Sequence, residues 1–312
     1  MPKVSICVPV YNNVKEVKRL LDSIQEQTYT DYEVNITDDS DGMEIADLVS
    51  GLFDERIRYV HNGKTLGHIF NWNAAIAMAQ GEYIKIMFSD DWFTYPESLA
   101  EMVRMLDENP EAGLAFSNSM QVSKQESYKR KVSEDFIPRL QEDWRNLFLG
   151  NEIGAPSDTI YRRNGIMFDE KSNWASDMVL YMRLFCENPR FVSTDRPLIS
   201  IGMHEEQYTH SFSNRDERIF NDYLYMYETY RLWENERCKA FFLKEYIVKF
   251  GKGRKLAKSC KISAKDFIRA KTAYFWKDIV VSYCKAALRK FLFCQGFFFT
   301  GMLFCKTPGR DT

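Results

Sequence analysis

Two pairs of adjacent aspartates, Asp38-Asp39 and Asp90-Asp91, are the residues of this chain best suited by type and place to do chemistry. Adjacent hard carboxylates at a strand end can hold a divalent cation that also coordinates a diphosphate. Each pair follows a run that reads as a strand, Tyr32 to Thr37 and Tyr83 to Phe88. Open α/β sheets bind ligands beyond the C-terminal ends of their strands, so the two acidic turns would face one crevice. Taken alone, either pair also reads as a solvated turn, with Asp91 capping the next helix. No G-x-G-x-x-G follows the first strand and no G-x-x-x-x-G-K-[ST] occurs, so the dinucleotide-oxidoreductase and P-loop readings lose their main support.

The elements that must position these turns are legible from apolar periodicity. Val4 to Val10 is a nearly continuous apolar run closed by Asn12-Asn13, as expected of a buried strand and its exit turn. Val14, Val17, Leu21 and Ile24 then fall on one helical face, and Ile57 to Val60 reads as a further strand. Ile69, Trp72, Ile76 and Ala79 space out an amphipathic helix that Gly81 ends. This alternation predicts a mostly parallel sheet with crossover helices over the first 120 residues. Farther on, Leu140 to Leu149 and Ser176 to Cys186 read as helical, separated by an irregular stretch from Gly150 to Ser172. Arg196 to Met203 reads as a last strand leading to His204. Ser213-Asn-Arg-Asp216 has the form of a capping box, opening a helix with Ile219, Tyr223, Met226, Tyr230 and Trp233 on one face.

Composition excludes whole classes. With 312 residues, 45% hydrophobic and 28% charged, the chain is neither disordered, collagen-like nor a multi-span membrane protein. Its seven cysteines form no C-x-x-C pair and read as reduced thiols in a cytosolic protein. The N-terminus lacks the pattern of a signal peptide. The formal net charge of −2 conceals an asymmetry: residues 235–312 hold 18 Lys and Arg against 5 Asp and Glu, and the first 234 hold 24 against 39. A segment at +13 beside one at −15 points to an anionic partner for the basic part.

Val4-Ser-Ile-Cys-Val-Pro-Val-Tyr-Asn12, the Asp38-Asp39 turn, Gly67 with Asn73, Gly81-Glu-Tyr-Ile84 and Ser89-Asp-Asp-Trp92 occur in the order and spacing of family 2 glycosyltransferases. The resemblance is close over roughly residues 1–120 and looser over 150–210. It implies the GT-A fold, a mostly parallel Rossmann-like α/β sheet flanked by helices. Here that would be a catalytic domain at about 1–210 with a basic helical C-terminal extension at 211–312. It also implies a nucleoside-diphosphate sugar donor, Mn²⁺ or Mg²⁺, and transfer with inversion at the anomeric carbon.

Carried over by position, Pro9 and Tyr11 resemble the first-strand residues that contact the nucleotide, with Tyr11 against the base and Asp39 accepting from its edge. An acceptor there favours uracil or thymine. Asn73 and Asp91 resemble further donor-binding positions, and Asp90 the metal ligand of the D-x-D motif. The departure is Phe88, where the family usually has the first aspartate of that motif. Asn173-Trp-Ala-Ser-Asp177 resembles the segment that supplies the base, which makes Asp177 the residue expected to take the acceptor's proton. His204-Glu-Glu-Gln-Tyr-Thr209 resembles a His-x-x-Gln-x-[Ser/Thr] segment whose histidine completes the metal shell or touches the diphosphate. Phe88 also keeps open a sugar-nucleotide-binding protein without catalysis. A sugar nucleotidyltransferase is the third reading, but it would need a Gly-rich loop where Pro9-Val-Tyr-Asn-Asn13 stands.

The run from Phe291 to Cys305 is the most apolar in the chain, flanked by Lys285, Arg289 and Lys290 before it and Lys306 and Arg310 after it. As a helix its 15 residues would reach about 22 Å, short of the roughly 30 Å hydrocarbon core. The expectation is an interfacial anchor on an anionic cytoplasmic leaflet, so that the protein is cytoplasmic and peripheral. That placement suits a saccharide or lipid-linked saccharide acceptor in bacterial-type surface polysaccharide assembly. No nucleic-acid-binding motif accompanies the charge. Full-length protein should therefore float with liposomes containing anionic lipid and a chain lacking residues 285–312 should not; equal recovery in the soluble fraction would assign the tail to packing on protein.

Overall fold

The computed structural model describes residues 1–204 and 216–276. Glu205 to Thr209, Ser213 and the Phe291 to Cys305 run with its basic flanks lie outside the described residues. The chain divides into two compact units, Met1–Cys238 and a second that begins at Lys239.

In the first unit β1 (Val4–Val10) is buried at every position and lies between β2 (Tyr32–Asp38) and β4 (Tyr83–Ile86), both parallel to it. Strand β3 (Ile57–His61) extends the parallel edge beside β2. Helices α1 (Val14–Gln25), α2 (Glu44–Ser50) and α3 (His68–Ala77) connect these strands. Helix α1 buries Val17, Leu20, Leu21 and Ile24 against the sheet, while Val14 at its start stays exposed. The apolar stripe of period 3.6 and the continuous apolar strand together account for this half of the fold.

Beyond β4 the sheet becomes mixed. After the short β5 (Trp92–Phe93) and helix α4 (Ser98–Asp107) come β6 (Leu114–Val122) and β7 (Ser127–Lys129), then α5 (Phe136–Glu142), β8 (Thr159–Arg162), α6 (Ser176–Glu187) and β9 (Phe191–Gly202). Strand β8 sits between β4 and β6, antiparallel to both, and β9 pairs parallel with β6 and antiparallel with β5. Among the described residues the strand order is β3-β2-β1-β4-β8-β6-β9-β5, with β7 on β6. The stretch expected to be irregular from Gly150 to Ser172 therefore contains a central strand. Its physical anchor is Lys85 of β4, fully buried, which donates its ammonium to the carbonyls of Ser157 and Thr159.

Leu140 to Leu149 is also resolved differently from expectation: α5 stops at Glu142, and Asp143 caps a 3₁₀ segment over Trp144–Leu149 by accepting from the Arg145 amide. Helix α7 (Glu217–Thr229) is capped by Asp216 itself, whose side chain accepts from Arg218 N, and it belongs to the first unit. Its buried residues are Phe220, Asp222, Tyr223, Met226 and Tyr227, so the inward face is rotated from the one expected. From α8 (Glu236–Phe241) onward the described chain is helical, through a π-helical segment Phe242–Val248, α9 (Arg254–Ser259) and 264–276. No helix among the described residues is long and apolar enough to cross a membrane.

Gly81 does not end α3, which closes at Met78. It is required by close approach: a Cβ there would stand 2.7 Å from the Ser5 amide nitrogen and 2.8 Å from the Val4 carbonyl carbon. Ser5 Oγ also accepts from the Gly81 amide at 2.8 Å, locking the entry of β4 to β1. Gly81→Ala should accordingly cost about 1–3 kcal/mol through forced backbone displacement, read as a lower urea midpoint at unchanged m.

Candidate active site

The C-terminal ends of β1, β2 and β4 open onto a cleft of about 500 Å³. Pro9, Tyr11, Asp39, Asp90, Asp91, Asp177 and His204 all line it, so it brings together seven of the eight residues singled out from sequence. Tyr11, 51% exposed, stands at the mouth, where the chain leaves β1 through Asn12 and Asn13, both at positive φ. Ser40 Oγ accepts from the Asn12 amide at 2.6 Å and fixes that exit.

Asn73 is the eighth and is not on the cleft. Its carboxamide donates to the Phe168 carbonyl at 3.0 Å and accepts from the Phe168 amide at 2.9 Å, so both of its polar atoms clamp a loop. Asp39 lines the cleft, but its carboxylate is heavily engaged. It accepts from the amides of Leu66 and Gly67 and from Asn62 Nδ2, all at 2.8–3.0 Å. The Leu66 amide reaches both oxygens, so each carboxylate oxygen accepts two contacts. Asp38 is fully buried and internal, accepting from the Ser40 amide and the Tyr59 hydroxyl.

Asp90 and His204 meet across the cleft, His204 Nε2 lying 3.1 Å from Asp90 Oδ2. Their meeting depends on β9. Trp92 pairs with Ser200, and a Cβ on Gly202 would stand 2.5 Å from the Asp90 carbonyl oxygen, so glycine lets the end of β9 pass the Asp90 turn. Arg19 holds the same carbonyl at 2.8 Å and stacks on the Trp92 ring at 3.7 Å. Asp91 turns inward toward Ser157, and burial beside Asp90 pushes its carboxyl well above the usual range. Burial likewise raises Asp158 to about 6 and lowers Lys85 to about 7, while the opposite charges of the two counter each shift.

Asp177 occupies the first turn of α6. Its carboxylate accepts from Asn151 Nδ2 at 2.6 Å and from the Met178 amide at 2.7 Å. The side chain keeps part of its surface on the cleft, yet the protein packed around it pushes the carboxyl up to about 6. The Asp222 carboxylate adds to the rise, and Asn151 with the backbone amides opposes it. Phe88 packs on Trp72 with ring centroids 4.8 Å apart, and Trp72 in turn meets Phe168 and His68, forming an aromatic wall.

Residues 5–167 match the family model described as Glycosyl transferase family 2, more than half of the chain. The chain belongs to glycosyl transferase family 2. This glycosyltransferase is 27% identical over 235 residues to an Escherichia coli K12 protein named for colanic acid biosynthesis, WcaA, covering 74% of this chain and 82% of that one. It is 22% identical over 280 residues to the Campylobacter jejuni GalNAc(5)-diNAcBac-PP-undecaprenol beta-1,3-glucosyltransferase, covering 83% and 87%. Among solved structures it resembles S. aureus TarS 1-349 in complex with UDP-GlcNAc, with TM-score 0.62 and 21% identity over 86% of this chain and 79% of that one. A second is the mannosyltransferase PcManGT from Pyrobaculum calidifontis in complex with GDP-Man and Mn²⁺, with TM-score 0.56 and 16% identity over 90% and 81%. Both share the GT-A fold.

Among the described residues of the glycosyltransferase, no group of three or more His, Cys, Asp or Glu side chains converges to hold a metal ion. A cation would take Asp90 and His204 from the protein and the rest of its shell from diphosphate and water. One carboxylate and one imidazole suit Mn²⁺ better than Mg²⁺, which prefers oxygen ligands.

The Asp177 shift has a thermodynamic sign. A carboxyl raised in the folded state is easier to bury protonated, so its contribution to stability is lost as pH rises from the unfolded value through about 6. Asp177→Asn should thus gain on wild type by about 1–2 kcal/mol between pH 4.5 and 7.5, a figure reduced for the partial exposure. Thermal unfolding of both proteins at the two pH values measures it, and a constant difference would contradict the raised carboxyl.

Proposed function

We propose that this glycosyltransferase moves a sugar from a UDP-sugar to a saccharide or lipid-linked saccharide acceptor, with inversion and with a divalent cation, in surface polysaccharide synthesis. The observation that carries the reading is Asp177, a carboxyl of raised proton affinity on the same cleft as the Asp90 and His204 pair. A base for an alcohol must be ionised at working pH yet hold a proton well, and a value near 6 meets both demands. Ionised Asp177 takes the acceptor hydroxyl's proton while the oxygen attacks the anomeric carbon from the face opposite the diphosphate. Asn151 and the Met178 amide hold the carboxylate in place for that transfer. Asp90 and His204 would hold the cation, which when bound offsets the charge that builds on the departing diphosphate.

Tyr11 at the mouth offers a stacking face for the base, with Pro9 on the same cleft, and Asp39 is the acceptor for the imide N–H of uracil, a role that requires one of its present donors to give way. The TarS complex with UDP-GlcNAc and the undecaprenol-linked acceptor named for the Campylobacter relative support the donor and acceptor classes. The name of the Escherichia coli relative supports the process. The basic C-terminal region would keep the enzyme at the cytoplasmic face of the membrane, where such acceptors are presented.

A panel of UDP- and dTDP-sugars screened for Mn²⁺-dependent thermal stabilisation selects the donor, because a ligand that binds the native state raises its apparent stability. With that donor, Asp177→Asn should bind normally and transfer about 100- to 10,000-fold more slowly. Asp90→Ala should lose the Mn²⁺ dependence of donor binding in a calorimetric titration. Wild-type transfer should fall as pH drops below about 6, where Asp177 gains its proton. Undiminished transfer by Asp177→Asn would remove it from the mechanism.

A further inference from the structure

Helix α7 lies outside the residues matched by the family model and beyond the catalytic segment expected from sequence, yet it enters the active unit through one side chain. Asp222, 1% exposed, sits on the apolar face of α7 between Phe220 and Tyr223. Its carboxylate accepts from three consecutive backbone amides: Asn173 at 3.0 Å, Trp174 at 2.7 Å and Ala175 at 2.8 Å. A buried carboxylate is expensive unless its lone pairs are filled, and amides before a helix lack intrahelical acceptors. Each side thus supplies what the other needs.

The three amides belong to the turn that leads into α6. Asn173 and Trp174 of this turn line the cleft, and so do Ser176 and Asp177 at the start of α6. We infer that Asp222 is a positioning residue for the base, fixing the turn 173–175 and through it the place from which the Asp177 carboxylate meets the acceptor. The inference rests on the reading of Asp177 as base and assigns to α7 a part in the reaction.

The two carboxylates also interact through space, and the Asp222 charge works in the direction that makes Asp177 hold its proton more tightly. Asp177 also meets Asn151 and the Met178 amide, which both donate to it, and Tyr181 one turn along α6, whose hydroxyl donates to the Gly154 carbonyl. Asp158 and Arg130 act on Tyr181 from beyond. Removing the Asp222 charge alone should therefore move the acid limb of the rate profile to lower pH.

The test uses the full-length chain, Mn²⁺, UDP as the binding probe and UDP release from the selected donor as the rate. Asp222→Asn keeps the volume, removes the charge and replaces one acceptor oxygen with a donor. It should bind UDP within about twofold of wild type, turn over about 10- to 100-fold more slowly, and shift the acid limb to lower pH. Asp222→Glu, which keeps the charge and moves the carboxylate, should slow turnover with the limb unmoved, and it stands in should the first variant fold poorly. Wild-type rate and limb in Asp222→Asn beside an inactive Asp177→Asn would overturn the inference alone. Loss of UDP binding in step with rate would make Asp222 a general support of the fold and also overturn it. Full activity in Asp177→Asn would instead remove the base and, with it, the role of Asp222.

Discussion

The constraint on which this structure depends is the burial of carboxyl groups around the C-terminal edge of its sheet. Asp38, Asp39, Asp91, Asp158 and Asp222 are each at most 4% exposed. An isolated buried carboxylate costs several kcal/mol, so each must be matched by donors, and the loops around the cleft are arranged to provide them. Leu66 and Gly67 turn their amides to Asp39, the turn 173–175 turns its amides to Asp222, and Ser40 and Tyr59 serve Asp38. Lys85, buried with them, supplies positive charge to Asp91 and Asp158. Loop conformations that look irregular in sequence are thus fixed by the acids they surround.

Asp90 and Asp177, which face the cleft, receive fewer donors than Asp39 beside them. Asp90 touches only His204 with its side chain among the contacts described, and Asp177 receives one amide and one carboxamide in a crowded setting. Site and scaffold are therefore made of the same residue type, distinguished by how many donors reach it. Phe88 fits this division. Where the family usually carries another acid, an aromatic ring leans on Trp72 and removes one charge that the edge would otherwise have to accommodate.

The parallel half of the fold was legible because its signals are local. Val4 to Val10 and the stripe on α1 carry their burial in their own spacing, and both acidic turns fall where strands end. Strand β8 was not legible: Thr159 to Arg162 is four residues long, and its partners Tyr83 and Leu114 lie far away in sequence. The clamp that Asn73 makes on Phe168 was not legible either, because a carboxamide suits a nucleotide and a backbone clamp equally well and Phe168 lies far away in sequence. Asp222 escaped notice although a signal was present. It falls three residues after Ile219 and four before Met226, a carboxylate on an otherwise apolar stripe, which demands a partner elsewhere in the chain.

The antiparallel insertion of β8 between β4 and β6 also bears on how the chain is made. During synthesis β4 is complete at Ile86, but the strand that covers its free edge begins only at Thr159. Until then the nascent sheet ends in a hydrogen-bonding edge that bears a lysine pointing into what will be the interior. A charge on an open edge discourages pairing with neighbouring chains. Lys85 thus marks the edge that β8 must cover, and in the finished sheet its ammonium ties β4 to the carbonyls of Ser157 and Thr159.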